Sequence, residues 1–187
     1  MKKGRLFIIS APSGTGKSTV VNHLLENIPG LIYSISYTTR PPRAGEQDGV
    51  NYRFVDKMTF QKLMGDGFFA EWADVHGALY GTPRMELEDA VAAGKNVVLD
   101  IDVHGGMALK KRYPDAVTIF LAPPSFEELK KRLAGRRTDS EAVVAKRLEN
   151  AKKEMEYKDK YDFCVINDKL GRACSEIASL IKSPKKP

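Results

Sequence analysis

The chemistry-bearing residues are densest at Gly14-Thr15-Gly16-Lys17-Ser18. Glycines at this spacing let backbone N–H groups turn inward on an anion. Lys17 adds a mobile positive charge, and the Ser18 hydroxyl suits Mg²⁺. The loop follows the apolar run Leu6-Phe7-Ile8-Ile9 and opens an amphipathic segment at Ser18-Thr19, so a strand feeds it and a helix N-terminus closes it. It departs from the usual Gly-x-x-x-x-Gly-Lys-Ser/Thr pattern only in carrying Ala11 at the first glycine, which alanine can fill if its φ stays negative. An ordinary strand–turn–helix is the alternative. By itself the loop implies a nucleoside triphosphate or a similar polyphosphate.

Two carboxylates, Asp100 and Asp102, end the apolar run Asn96-Val97-Val98-Leu99. Alternate residues of a strand share a face, so both are expected at the carboxyl edge of a sheet, where ligands bind in open α/β folds. Asp100 is placed to share a Mg²⁺ shell with Ser18, partly through water. Arg40 and Arg43 flank Pro41-Pro42. A polyproline II segment repeats about every three residues, which turns both guanidiniums to one side for bidentate phosphate recognition. Arg132, Arg136 and Arg137, with Arg147 beyond a Gly break, form a second cluster. Lys130, Lys131, Lys152 and Lys153 read more simply as a solvated face.

These groups need elements to hold them. Helical spacing runs from Lys17 to about Asn27, stopped by Pro29-Gly30. Leu31 to Thr39, Tyr52 to Val55, Phe68 to Val75 and Leu79 to Thr82 read as strands, with an Asp56-capped helix reaching Met64. Residues 33 to 82 therefore form a small, mostly β insertion. Pro83 opens the next helix. The strand Asn96 to Asp102, a helix over 106 to 113 and the strand Ala116 to Leu121 follow. Ser125-Phe126-Glu127-Glu128 is a capping box for a helix to Ala134, and a charged helix from Asp139 or Ser140 reaches Lys158. Phe163 to Ile166 is the last strand and Arg172 to Lys182 the last helix. Apolar strands alternating with helices predict a parallel sheet covered on both faces.

At 187 residues, 42% hydrophobic and 29% charged, the chain is sized for one soluble domain. A net charge of +6 fits an anionic partner as small as a nucleotide. Cys164 and Cys174 lack metal spacing and read as reduced structural thiols, implying a cytoplasmic home; no segment has signal-peptide or transmembrane character.

Taken together, Ser36-Tyr37-Thr38-Thr39-Arg40-Pro41-Pro42-Arg43-Ala44-Gly45-Glu46, Glu71-Trp72-Ala73, Tyr80-Gly81-Thr82, Asp100-Ile101-Asp102 and Gly135-Arg136-Arg137-Thr138 resemble the guanylate kinase family, in order and across nearly the whole chain. The resemblance implies a P-loop NTPase-type three-layer α/β/α fold with a parallel core sheet, an inserted mixed β-rich GMP-binding lobe and a helical lid. The single domain would divide into a core (1–32, 83–124 and 151–187), the insertion (33–82) and the lid (125–150). It further implies transfer of the γ-phosphoryl group of ATP to GMP with Mg²⁺. ATP would lie on Ala11, Pro12, Ser13, Gly14, Thr15, Gly16, Lys17, Ser18 and Thr19, with Asn167 on the adenine side. Ser36, Glu71 and Thr82 would contact guanine, Arg40, Arg43, Tyr52 and Tyr80 the GMP phosphate, and Asp102 would approach the base. Lys17, Arg132, Arg136 and Arg147 would surround the transferring group.

The base chemistry agrees. Guanine presents N1–H and an exocyclic amine beside O6; a carboxylate accepts from both donors, and hydroxyls donate to O6. Phosphoryl transfer needs positioning and charge more than a general base, and none of His23, His76 and His104 looks placed as one. Val103-His104-Gly105-Gly106 departs from the family's more familiar aromatic-Gln-Gly, and Arg137 stands where some members have glycine. A catalytically weak, guanylate-kinase-like protein-interaction module is the alternative, and Gly16-Lys17-Ser18 argues against it. A nucleic-acid binder would need basic-aromatic platforms, and a hydrolase an element to hold a lytic water; neither is visible, and nothing indicates a membrane. Oligomeric state is left open, a homo-oligomer included.

Overall fold

A computed structural model describes residues 3–75, 77–134 and 141–183. Chain order is β1 (Leu6–Ser10), α1 (Lys17–Asn27), β2 (Leu31–Tyr33), β3 (Tyr37–Thr38), β4 (Arg53–Phe54), α2 (Lys57–Gly65), β5 (Phe69–Val75), β6 (Ala78–Pro83), α3 (Arg84–Ala92), β7 (Asn96–Asp100), α4 (Val103–Arg112), β8 (Val117–Ala122), α5 (Phe126–Ala134), α6 (Glu141–Met155), β9 (Phe163–Ile166) and α7 (Leu170–Lys182).

Among the described residues, β2-β7-β1-β8-β9 form a parallel sheet in that order. Every residue of β1 and β8 is buried, as their unbroken apolar runs require of strands covered on both faces. One face packs Phe7, Ile9 and Ile119 against α1 and α7 through Val20, Leu24 and Ile177. The other packs Ile8, Val97 and Leu99 against Leu87 of α3 and Leu109 of α4. β1 lies centrally, so the Gly-Lys-Ser loop leaves the middle of the carboxyl edge.

Between β2 and β7 the chain builds a second sheet, β4-β3-β6-β5, with parallel and antiparallel pairs. Its small core stacks Phe60 of α2 on Phe69 (ring centroids 4.6 Å apart), with Tyr37 edge-on to Phe68 and Phe69. In β5 the side chains alternate: Glu71 is buried, while Trp72 faces outward at 51% exposure. Arg53 of β4 grips Glu86 of α3 with two guanidinium nitrogens and stacks 5.1 Å from the Tyr37 ring, tying this sheet to the core.

Three elements differ from their sequence reading. The run Leu31 to Thr39 breaks after Tyr33, because the chain crosses there from one sheet to the other. β7 stops at Asp100, and Asp102 is the N-cap of α4: its Oδ1 accepts from the His104 and Gly105 amides at 2.8 and 3.2 Å. Strand alternation therefore does not place the second carboxylate, and α4 begins three residues earlier than its periodicity suggests. Pro83 ends β6 and caps α3 rather than lying inside it.

Candidate active site

The loop after β1 takes its shape from two glycines with left-handed backbones, Gly14 (φ 88°) and Gly16 (φ 93°). Space is tight there as well: a Cβ at Gly14 would lie 2.7 Å from the Leu133 side chain of α5, and one at Gly16 2.9 Å from Asn167 Nδ2, so either neighbour would have to shift. Asn167 Nδ2 donates to the Thr15 carbonyl at 2.7 Å, bracing the loop from beneath. α1 then starts with no side-chain cap and no acidic residue in its first turn. Its N-terminal amides and positive dipole end are left for an outside anion.

Lys17 reaches back across the loop. Its Nζ donates to the Ile101 carbonyl at 3.0 Å and pairs with the Asp100 carboxylate. Ser18 Oγ donates to Asp100 Oδ2 at 3.2 Å. Ser18 and Asp100 therefore lie side by side, and a hydroxyl beside a carboxylate is a hard-oxygen set that fits Mg²⁺ completed by water and phosphate.

Glu154, on α6, was missed by sequence reasoning. It is half-buried in the same cleft, and its Oε2 accepts from the Ser13 amide at 3.4 Å. Burial raises its carboxyl above the ordinary range, and Lys17 opposes that rise. The available signal was its spacing: it follows buried Ala151 by three residues, which puts an acid on the inward face of a charged helix.

The second sheet supplies the opposite wall. Glu71 and Thr82 are cross-strand partners on β5 and β6, and Thr82 Oγ1 donates to Glu71 Oε1 at 2.6 Å. Ser36 is buried on the connection from β2 to β3. Burial, reinforced by the charge of Asp102 and opposed by the Thr82 hydrogen bond, pushes the Glu71 carboxyl up to about 7. Beside it, Arg40 donates from Nε to Tyr80 at 3.1 Å and from Nη2 to Glu46 Oε1 at 2.8 Å, and lies 5.4 Å from the Tyr52 ring centroid. Glu46 also accepts from the Arg43 amide at 2.7 Å. Burial and then the Asp100 charge push the Tyr52 phenol up to about 12, so it stays a hydrogen-bond donor at neutral pH.

One cleft of about 320 Å³ touches both walls: the loop from Ala11 to Thr19, except Thr15, then Ser36, Arg43, Tyr52, Glu71, Tyr80, Asp100, Asp102 and Glu154. Arg40 lines the adjoining cavity behind Tyr52 and Tyr80. Thr82 reaches the cleft through Glu71. Neither Arg132 nor Arg147 lines it. Arg132 instead donates to the Asn167 carbonyl at 3.2 and 3.3 Å and to Glu128 at 3.2 Å. Arg136, together with Arg137, lies outside the described residues.

A parallel α/β core with a Gly-Lys-Ser loop at its centre, faced by an inserted sheet carrying arginines and a buried carboxylate, defines a P-loop phosphotransferase of the nucleoside monophosphate kinase type. The family model for guanylate kinase matches residues 3–184. A guanylate kinase of Syntrophotalea carbinolica is 47% identical over 180 residues, covering 96% of this chain and 86% of that protein. One from Thermotoga maritima is 44% identical over 183 residues, covering 98% and 88%. The crystal structure of guanylate kinase from Anaplasma phagocytophilum aligns with a TM-score of 0.84 at 32% identity, covering 100% of this chain and 88% of that one. The chain belongs to the guanylate kinase family.

Proposed function

We propose that this chain transfers the γ-phosphoryl group of ATP to GMP, giving ADP and GDP, in the cytoplasm and with Mg²⁺. The observation that carries the reading is the buried Glu71–Thr82 pair facing the phosphate loop across a single cleft. A carboxylate there accepts from guanine N1–H and the exocyclic amine, Ser36 donates to O6, and Thr82, whose one proton goes to Glu71, orients that carboxylate against the base. Adenine lacks that donor pair and would leave Glu71 charged, buried and unmatched, a mismatch that discriminates by about 10⁴-fold or more.

Arg40, Arg43, Tyr52 and Tyr80 hold the GMP phosphate in this reading, with Glu46 fixing the arginine fork in advance. Ala11 to Thr19 hold the ATP phosphates, and Lys17 exchanges Asp100 for the transferring group. Asn167 shapes the loop and contacts the adenine side. Ser18 and Asp100 would hold Mg²⁺, which when bound neutralises charge building on the phosphate oxygens. Arg132, Arg136 and Arg147 approach the transferring group when residues 125–150 close as a lid and 33–82 as an acceptor lobe over the core, excluding water and suppressing ATP hydrolysis. Scattering should then show compaction with both nucleotides bound.

No described helix is long and apolar enough to cross a membrane. ADP release measured with GMP, AMP, CMP and UMP tests the proposal: GMP should be phosphorylated and the others poorly. Comparable rates with AMP, or none with GMP, would refute it.

A further inference from the structure

Gly105 sits buried in the first turn of α4, against the Glu71 carboxylate. Its backbone is not left-handed, so conformation does not call for glycine, and alanine is the better helix former. What excludes a side chain is space. A Cβ at this position would lie 2.8 Å from Glu71 Oε2, 3.3 Å from the carboxyl carbon and 3.4 Å from Asp102 Oδ2.

All three neighbours are side-chain atoms, and the nearest is the far end of a flexible one. The fold can therefore absorb a methyl group by moving the Glu71 carboxylate. That carboxylate cannot move and still read a base from the same depth. Its other oxygen is held by Thr82 Oγ1 at 2.6 Å, and the strand pairing of β5 with β6 fixes the root of the side chain. Asp102 gives little relief: one of its oxygens is committed to the His104 and Gly105 amides, and its charge repels that of Glu71.

We infer that Gly105 is a specificity-determining positioning residue, a bare floor that lets Glu71 lie where it accepts from both guanine donors. The inference rests on the guanine-reading role proposed for Glu71. It also gives a function to part of the Val103-His104-Gly105-Gly106 segment that the motifs leave unassigned.

Steady-state kinetics with GMP and with IMP, which keeps N1–H but lacks the exocyclic amine, test it in Gly105→Ala, Glu71→Asp, the double variant and Glu71→Gln, alongside thermal melts. Gly105→Ala should raise the GMP KM by about tenfold or more and narrow the preference for GMP over IMP. Its ATP KM and melting temperature should hold. Glu71→Asp alone should weaken GMP use. In the double variant the carboxylate retracts by one methylene, clears the methyl group and restores part of the preference lost in Gly105→Ala.

An unchanged GMP KM in Gly105→Ala overturns the inference, as does a loss shared equally by GMP and IMP, an absent rescue, or a large fall in melting temperature. A silent Glu71→Gln variant would bring down the guanine reading itself. A damaged Glu71→Gln beside a silent Gly105→Ala brings down the Gly105 inference alone.

Discussion

On the donor side of the cleft, the groups that face a ligand are backbone amides and one lysine, held by Asn167 beneath the loop and by Asp100 beside it. On the acceptor side they are side chains that hold one another: Thr82 on Glu71, Tyr80 and Glu46 on Arg40. The donor wall meets polyphosphate with main chain, which any nucleotide can satisfy. In the proposed reading, the acceptor wall keeps a buried carboxylate that only the right base matches. Generality lies in the backbone and selectivity in the side chains, so damage to each wall should register on a different substrate.

The largest effect is expected from Lys17→Met, which removes the charge proposed to meet the transferring group. Turnover should fall by about 10³-fold or more while GMP still binds. Rapid-quench kinetics with GMP titration would check this, and equal losses in GMP affinity would break the division between walls. Next, Glu71→Gln should reduce kcat/KM for GMP by about 10²-fold and leave the ATP KM near its starting value, since a buried donor amide faces the guanine donors. Asn167→Ala should act in mirror image, raising the ATP KM by about tenfold through a loosened loop, with GMP nearly unaffected.

The smallest effect concerns stability. Unfolded, Glu71 takes up its charge near the ordinary 4.5; folded, it keeps its proton to about 7. The unfolded chain thus binds fewer protons across this window, so Glu71 makes stability decline as pH rises through it and level off above. Glu71→Gln should remove that decline and gain about 1–3 kcal/mol at pH 8 with little change at pH 4.5. Melts of the ligand-free protein at both values would show it, and a gain independent of pH would refute the titration. The residue proposed to select the substrate is thereby a standing strain on this wall when no ligand covers it.

The contrast also explains what could be read before folding. Gly14, Gly16, Lys17 and Ser18 fall within five residues, so local geometry alone announced phosphate binding. Ser36, Arg40, Glu71 and Thr82 are scattered through a segment whose single residues look like caps and surface charges, and only their combined resemblance to a family gathered them. Alternation carries Asp102 onto the strand, whereas the strand ends two residues earlier at Asp100 and the Asp102 side chain starts a helix. Glu154 lies in no motif, and Gly105 lies in a segment to which the resemblance assigns no role. Each matters through one contact, with Ser13 and with Glu71, made only when distant elements pack. Arg132 lies on the helix its capping box predicts, yet its guanidinium rests on the Asn167 carbonyl rather than in the cleft.

Trp72 is the one tryptophan in the chain, half-exposed on β5 immediately after Glu71 and on the opposite face of the strand. Its indole shares a rigid backbone with the base-reading carboxylate without competing for the base. That arrangement supplies an intrinsic fluorophore on the acceptor wall alone. If Glu71 reads the base as proposed, emission from this one tryptophan should report GMP binding in unlabelled protein, whichever nucleotide is added first.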